Sequence, residues 1–486
     1  MASVREETAR GIKWGLIQKC TMQPVQFIFG IILARLISPD EMGILGLTGI
    51  FFAFAGQLQE CGFGAALIRK QDRTEEDICT VFWFNVAMSL VLSLALFLAA
   101  PWFVWFFDQP ALLNLTRVSA LLMFLGSTGS VHWTLYSARR DFKTPAIVSM
   151  CTTLVAMPFT IWAAFAGWSY WAPMLQGIIS GLLGLITVWI ISPWKPSLKF
   201  SKKSFREFFK FGINLVMAGM LTRIYSESRT FIIGKFYSPA QLAFYTRGVT
   251  LCSTPLNLFQ SILGPVTFPI LSTLQNNPHR MHHVYRQYIR LTALVVQWGM
   301  VTIAANCSSL VILLYGAQWH QAAEYAQILC FGWMFNPLLS INSTMFNVLG
   351  RSDVLLKCEA ALRAFSITVM LICAVISVKA ICVSGVAAAF FGFALSSVVL
   401  CRLTEIRAKH ILADFFHYLF FAVAANIPSV IIQQLGWSPL LSLTLGGGFA
   451  FSIYLGILLL KKDATALEIW QYAKQTSLGR KFFRQD

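Results

Sequence analysis

The chain has 486 residues, of which 57% are hydrophobic and only 12% charged, and its mean hydropathy is +0.65. Soluble globular domains carry about 25% charged residues, so this composition excludes one and describes a polytopic membrane protein. The formal net charge of +17 would suit a nucleic-acid partner, but the charges are placed where membrane topology needs them.

In chain order, apolar stretches of about 20 residues, enough to cross a bilayer, lie near 12–37, 43–68, 78–105, 112–136, 144–167 and 170–192. No cleavable signal peptide is expected, because the first span carries Lys19 and lacks a small-residue cleavage site. Pro193 to Arg206 is a basic, Pro-punctuated connector with interleaved aromatics, suited to a membrane surface. Spans resume near 208–236, 240–272, 288–315, 322–349, 354–378, 381–402, 412–435 and 439–460. The expected fold is all-α, with about fourteen transmembrane helices. Its parts are an N-lobe at 1–192, a cytoplasmic basic linker at 193–207, a C-lobe at 208–405, a helix pair at 406–462 and a cytoplasmic basic tail at 463–486.

With the N-terminus inside, the inward loops collect Arg69, Lys70 and Arg73, then Arg139, Arg140 and Lys143, the connector, Arg280 and Arg286, Arg351 and Lys357, and Arg407 with Lys409. The outward loops offer little beyond Lys235 and Lys379, as the positive-inside rule requires. Trp102, Trp105, Trp168, Trp171, Trp319 and Trp437 mark the outward ends as an aromatic belt. Both termini are therefore expected in the cytoplasm, membrane lipids are partners and nucleic acid is not. The eleven cysteines show no ligand spacing and read as packing residues, so neither a metal nor a cofactor is expected.

An internal repeat divides the chain. Arg35-Leu36-Ile37-Ser38-Pro39 before Gly43-Ile44-Leu45 is echoed by Lys235-Phe236-Tyr237-Ser238-Pro239 before Ala243-Phe244-Tyr245. A weaker echo links Leu135 to Asp141 with Leu349 to Asp353. Both recur after an even number of spans, which gives two parallel six-helix lobes with a cleft between them.

The energetic anomaly is span seven, where Arg223, Glu227 and Arg229 sit among apolar residues. A charge at bilayer depth costs about 2.5–3.5 kcal/mol, so such residues face protein or water. At about 100° per residue, Arg223, Ser226, Glu227 and Thr230 share a helix face that Gly219 and Gly212 continue, while Tyr225 and Arg229 point elsewhere.

Leu33 to Gly43, followed by Gln59-Glu60-Cys61-Gly62-Phe63-Gly64-Ala65-Ala66-Leu67-Ile68-Arg69-Lys70, resembles the first hairpin of the polysaccharide transporter (PST) family. That family includes O-antigen flippases of the Wzx type and colanic acid exporters. Ile233 to Phe236 with Ala243 to Arg247 is similar to its seventh-to-eighth hairpin. The resemblance implies the multidrug/oligosaccharidyl-lipid/polysaccharide (MOP) exporter fold in a bacterial inner membrane. It also implies alternating access for an undecaprenyl-diphosphate-linked oligosaccharide, used for O-antigen, capsule or exopolysaccharide, with a polymerase and export machinery as further partners. The family's Asn-x-Asp-like pair in span seven is replaced here by Ser226-Glu227-Ser228.

Such a substrate gives the intramembrane cations work, because arginine can fork two hydrogen bonds onto a phosphate and stays charged. The candidates are Arg223, Glu227 and Arg229 in span seven, Arg363 in span eleven, Arg247 in span eight, Arg117 in span four, and Lys19 with Gln23 in span one. Glu60, Glu227 and Glu359 are candidate gates or H+ or Na+ coupling groups. Each has a plainer alternative. Arg223 with Glu227 and Glu359 with Arg363 are i,i+4 pairs able to neutralise themselves, and Arg117, Arg247 and Lys19 lie where long side chains snorkel. Two other functions fit the sequence less well. A MATE-like drug/cation antiporter fits a cationic cleft poorly, since like charges repel. A polytopic enzyme needs a catalytic constellation, whereas His132, His320 and His417 stand alone; no catalytic residue and no enzymatic activity are expected.

Overall fold

A computed structural model describes residues 4–404, 408–461, 463, 465 and 467. The helices are α1 (Val4–Leu36), α2 (Pro39–Glu60), α3 (Phe63–Arg69), α4 (Glu75–Phe107), α5 (Leu112–Ala138), α6 (Lys143–Phe165), α7 (Trp171–Ile191), α8 (Lys202–Phe236) and α9 (Pro239–Thr273). They continue as α10 (Pro278–Ala305), α11 (Cys307–Tyr315), α12 (His320–Trp333), α13 (Asn336–Val348), α14 (Ser352–Ala374), α15 (Val378–Leu403), α16 (Ala408–Gln434) and α17 (Pro439–Leu460). Every expected span is helical, but three are interrupted: the second between α2 and α3, the ninth between α10 and α11, and the tenth between α12 and α13.

Ten helical segments among the described residues are long and apolar enough to cross a membrane. The helices short of that standard are α8, α9, α11, α14 and the α12–α13 pair. Three of these hold intramembrane candidates: Arg223, Glu227 and Arg229 in α8, Arg247 in α9, and Glu359 with Arg363 in α14. Large apolar side chains such as Leu98, Trp105, Ile190 and Phe420 are exposed, as on a lipid-facing surface.

Local chemistry explains the helix starts. Ser38 and Glu41 form a capping box ahead of α2, with Pro39 in the first turn where its missing N–H costs nothing. Ser238 repeats the motif before α9, its hydroxyl accepting from Gln241 N at 3.3 Å. The two echoed hairpins also touch, since Gly43 lies against the Pro239 backbone.

The chain divides into two compact units between Thr246 and Arg247. In the first, α4 packs along α5, α6 along α7, α1 on α6, and α8 on α2, α3 and α4. Phe63, Leu67, Phe82, Val131, Leu135 and Phe208 form one core cluster, at the end of this unit that carries Arg69, Lys70 and Arg73. In the second unit α10 packs on α12, α13 and α16, α16 on α17, and α15 on α12 and α14. Asn342 is fully buried there, accepting from Tyr285 Oη at 2.6 Å and donating to Ser396 and Ser397.

The connector is stitched down rather than lying loose. Trp83 Nε1 donates to Ser197 O at 2.9 Å, Ser201 N donates to Thr80 Oγ1 at 2.9 Å, and Glu75 takes Ser197 Oγ at 3.1 Å and Lys199 Nζ at 3.2 Å. Helix α8 begins at Lys202, capped by the Ser201 hydroxyl, earlier than the hydrophobic pattern placed it. Apart from Asp463, Thr465 and Leu467, the tail expected at 463–486 lies outside the described residues.

Candidate functional site

Helix α8 is fixed in position by its glycines. A Cβ on Gly212 would run into the Cys61 carbonyl, one on Gly219 into the Gln57 amide, and one on Gly234 into Leu47. The stripe expected to continue the Arg223 face is thus, at both its ends, the seam where α8 packs on α2. Arg223 lies on that stripe between the contact points and is exposed, while Glu227 is half-buried. They make no ion pair within 4.0 Å among the described residues. Across the helix, Arg229 is half-buried with its guanidinium 5.9 Å from the Tyr225 ring centroid.

The second unit holds the other predicted cations differently. Glu359 and Arg363 do pair along α14, at 3.5 Å and with roughly a third of each side chain exposed. Arg247 lies over two rings, 5.9 Å from Tyr315 and 5.7 Å from Trp319, a cation–π setting that offsets part of its desolvation. In the first unit Arg117 sits 4.8 Å over Phe97 and Lys19 is exposed. Gln23 is half-buried, with a buried Oε1 that no donor among the described residues reaches. The Glu60 side chain lies outside the described residues.

Some polar groups that read in the sequence as lone residues or orientation charges prove to be structural. His132 is fully buried, its Nδ1 2.8 Å from Ser192 Oγ and its ring between Trp189 and Trp194. Arg286 and Arg290 both grip Asp414, at 2.6 Å and 3.0 Å. Arg286 and Asp414 are 128 residues apart in sequence, so no local spacing could have paired them. A cavity of about 550 Å³ opens among α1, α5, α6 and α7, walled by Gly15, Gly126, Gly181 and Gly184.

The family model described as "Polysaccharide biosynthesis protein" matches residues 32–324, more than half of the chain. The chain belongs to this polysaccharide biosynthesis protein family. Among relatives, the family member is 20% identical over 356 residues to teichuronic acid biosynthesis protein TuaB of Bacillus subtilis, covering 73% of this chain and 74% of TuaB. It is 23% identical to succinoglycan biosynthesis transport protein ExoT of Rhizobium meliloti over 64% of this chain and 63% of ExoT. It is 19% identical to lipopolysaccharide biosynthesis protein WzxC of Escherichia coli over 73% of each. In fold it is similar to the lipid II flippase MurJ in an inward closed conformation, with a TM-score of 0.70 at 14% identity over 94% of this chain and 98% of MurJ. An outward-facing multidrug resistance MATE family transporter of the MOP superfamily gives a TM-score of 0.51 at 14% identity, over 82% and 97%. At these identities the two structures speak for fold alone: this is a helical, multi-pass membrane protein whose fold is similar to theirs.

Proposed function

We propose that this family member is a flippase. It moves an undecaprenyl-diphosphate-linked oligosaccharide across the bacterial inner membrane, by alternating access, for surface polysaccharide biosynthesis. The observation that carries the reading is family membership, joined to cations held along the long helices α8, α9 and α14 of a multi-pass membrane protein. A diphosphate and a sugar chain cannot enter hydrocarbon without a polar path, because their desolvation is uncompensated there. Exposed Arg223 and half-buried Arg229 on α8, with Arg363 on α14, are the side chains suited to the diphosphate. Arg247, Arg117, Lys19 and Gln23 are secondary contacts with phosphate or sugar. In this reading the termini and the basic loops face the cytoplasm, the lobes 1–192 and 208–405 are the alternating halves, and polymerase and export machinery take the product. No bond is made or broken, and Glu227, half-buried without an ion pair among the described residues, is the preferred H+ or Na+ coupling group ahead of Glu60 and Glu359.

The test uses purified protein in vesicles that carry a fluorescent lipid-linked oligosaccharide, with leaflet position read by quenching from outside. Wild type should equilibrate the lipid between leaflets, and Arg223→Ala with Arg363→Ala should slow this by about ten-fold or more, the value of one charge-assisted contact. Wild-type vesicles that leave the lipid where it was loaded would sink the flippase reading. An unimpaired double variant would remove the cations from it.

A further inference from the structure

We propose that a basic cavity between α3 and α8 receives the diphosphate of the lipid-linked substrate before it enters the membrane path; the inference rests on the flippase reading above. The cavity measures about 480 Å³, within the range of about 300–1,000 Å³ usual for ligand sites. Arg69 and Lys70 at the end of α3 form one wall, and Glu207, Lys210 and Asn214 on α8 form the other. Phe208 and Phe211 lie between them.

The backbone makes this space. Cys61 and Gly62 both take left-handed conformations, at φ 41° and 67°, which end α2 and restart the chain as α3. Gly62 meets Gly212 so closely that a Cβ on it would stand 2.8 Å from Gly212 Cα. That contact anchors one end of α3 on α8, while its other end carries Arg69 and Lys70 past the first turns of α8.

The cations in the cavity have different duties. Lys70 is committed, pairing with Asp77 at 3.0 Å and Glu207 at 3.5 Å, and so braces α3 against α4 and α8. Arg69 lies 4.9 Å over the Phe211 ring, and neither Arg69 nor Lys210 pairs with a carboxylate among the described residues. Both are exposed, so they remain available to a dianion. The positive-inside rule accounts for cations at this end but not for a walled cavity floored by two phenyl rings. Phe208 is buried in the core beneath, and the half-buried Phe211 ring gives apolar contact to the first isoprene units or to a sugar face while the cations hold the phosphates.

The cavity also points somewhere. On a helical wheel, Phe211, Asn214, Thr222, Tyr225 and Arg229 fall on one side of α8, away from the Gly212 and Gly219 seam with α2. Asn214 and Arg229 are 15 residues apart, about 22 Å along a helix, so a diphosphate leaving Arg69 and Lys210 follows that side toward Arg229.

The experiment measures binding of undecaprenyl diphosphate to the full chain in phosphatidylcholine nanodiscs, with phosphatidylglycerol as competitor. Arg69→Gln with Lys210→Gln should weaken binding by about ten-fold or more, and Lys202→Gln with Lys203→Gln, exposed on the same helix but outside the cavity, should change it little. Asn214→Trp, which keeps every charge and blocks the space, should also weaken binding; it serves as the independent variant if the glutamine pair misfolds. Unchanged binding in both cavity variants overturns the proposal. So does equal weakening by the Lys202 and Lys203 pair, which would indicate only a general positive field, or phosphatidylglycerol competing as well as the diphosphate. Wild type that neither binds nor moves lipid-linked diphosphates would fail the flippase reading and this one together; wild type that does both beside unaffected variants fails this one alone.

Discussion

Replacing Gly212 with alanine sets two effects of opposite sign against each other. In a helix interior the change gains about 1 kcal/mol in propensity. At this position the new methyl would be forced onto the Cys61 carbonyl oxygen, 3.3 Å from the Cys61 carbonyl carbon and 3.5 Å from that of Gly62. Those are backbone atoms, with no rotamer to turn away, so α3 and α8 must separate. Overpacking costs about 1–3 kcal/mol, and Gly212→Ala should therefore lose about 1 kcal/mol net. Gly62→Ala should lose more, since it adds about 1–2 kcal/mol for a left-handed L-residue. Gly177→Ala is the control, because no atom lies within 4 Å of its would-be Cβ; it should gain up to about 1 kcal/mol. Thermal unfolding of the three variants in one detergent, followed by tryptophan fluorescence, reads the order. Gly212→Ala melting at or above wild type, in step with Gly177→Ala, would refute the backbone contact and the wall it gives to the basic cavity.

Two further outcomes follow from charge. Asp414→Asn leaves Arg286 and Arg290 facing each other without their shared carboxylate, whose side chain is only 11% exposed. Because both arginines keep about a third of their surface in solvent, the loss should be about 2 kcal/mol, below the 3–5 kcal/mol of a fully buried pair. Adding Arg286→Gln should recover part of it in the same unfolding assay. Burial raises the Asp141 pKa, but hydrogen bonds from Thr144 and the Lys143 N–H outweigh it and hold this carboxyl below its ordinary range. A depressed carboxyl contributes stability that is complete above the ordinary value of about 3.9 and is lost as pH falls through the lowered one. An acid titration of the melting temperature should thus show a low-pH limb that Asp141→Asn lacks.

Much of the fold was legible because a bilayer imposes one coarse rule on sequence: long apolar runs with basic ends. The spans, the echoed Ser38-Pro39 and Ser238-Pro239 hairpins and the charged character of α8 all follow from it. The break at Cys61-Gly62 was not legible, since hydropathy cannot see a backbone that turns left-handed. The α8 wheel was read with Gly212 and Gly219 as an extension of the polar face, whereas small residues serve equally to bring two helices together, and only the α2 contact separates those meanings. Arg69 and Lys70 read as orientation charges for the same reason. Their gathering with Lys210 depends on a distant helix, and Arg363 could be seen to pair with Glu359 only because the two are one turn apart.

The stitched connector has a mechanical meaning. A slack linker would let α8 pivot independently of the helices before it, but a hydrogen bond from Trp83 and others accepted by Thr80 and Glu75 tie residues 197–201 to α4. Helices α4 and α8 are thereby tied together at this end, and on the flippase reading a tilt of the helix that bears Arg229 would draw α4 with it. On the same reading the hinge of the cycle would lie outside this strap, which holds residues 197–201 to α4 ahead of the cation-bearing helix.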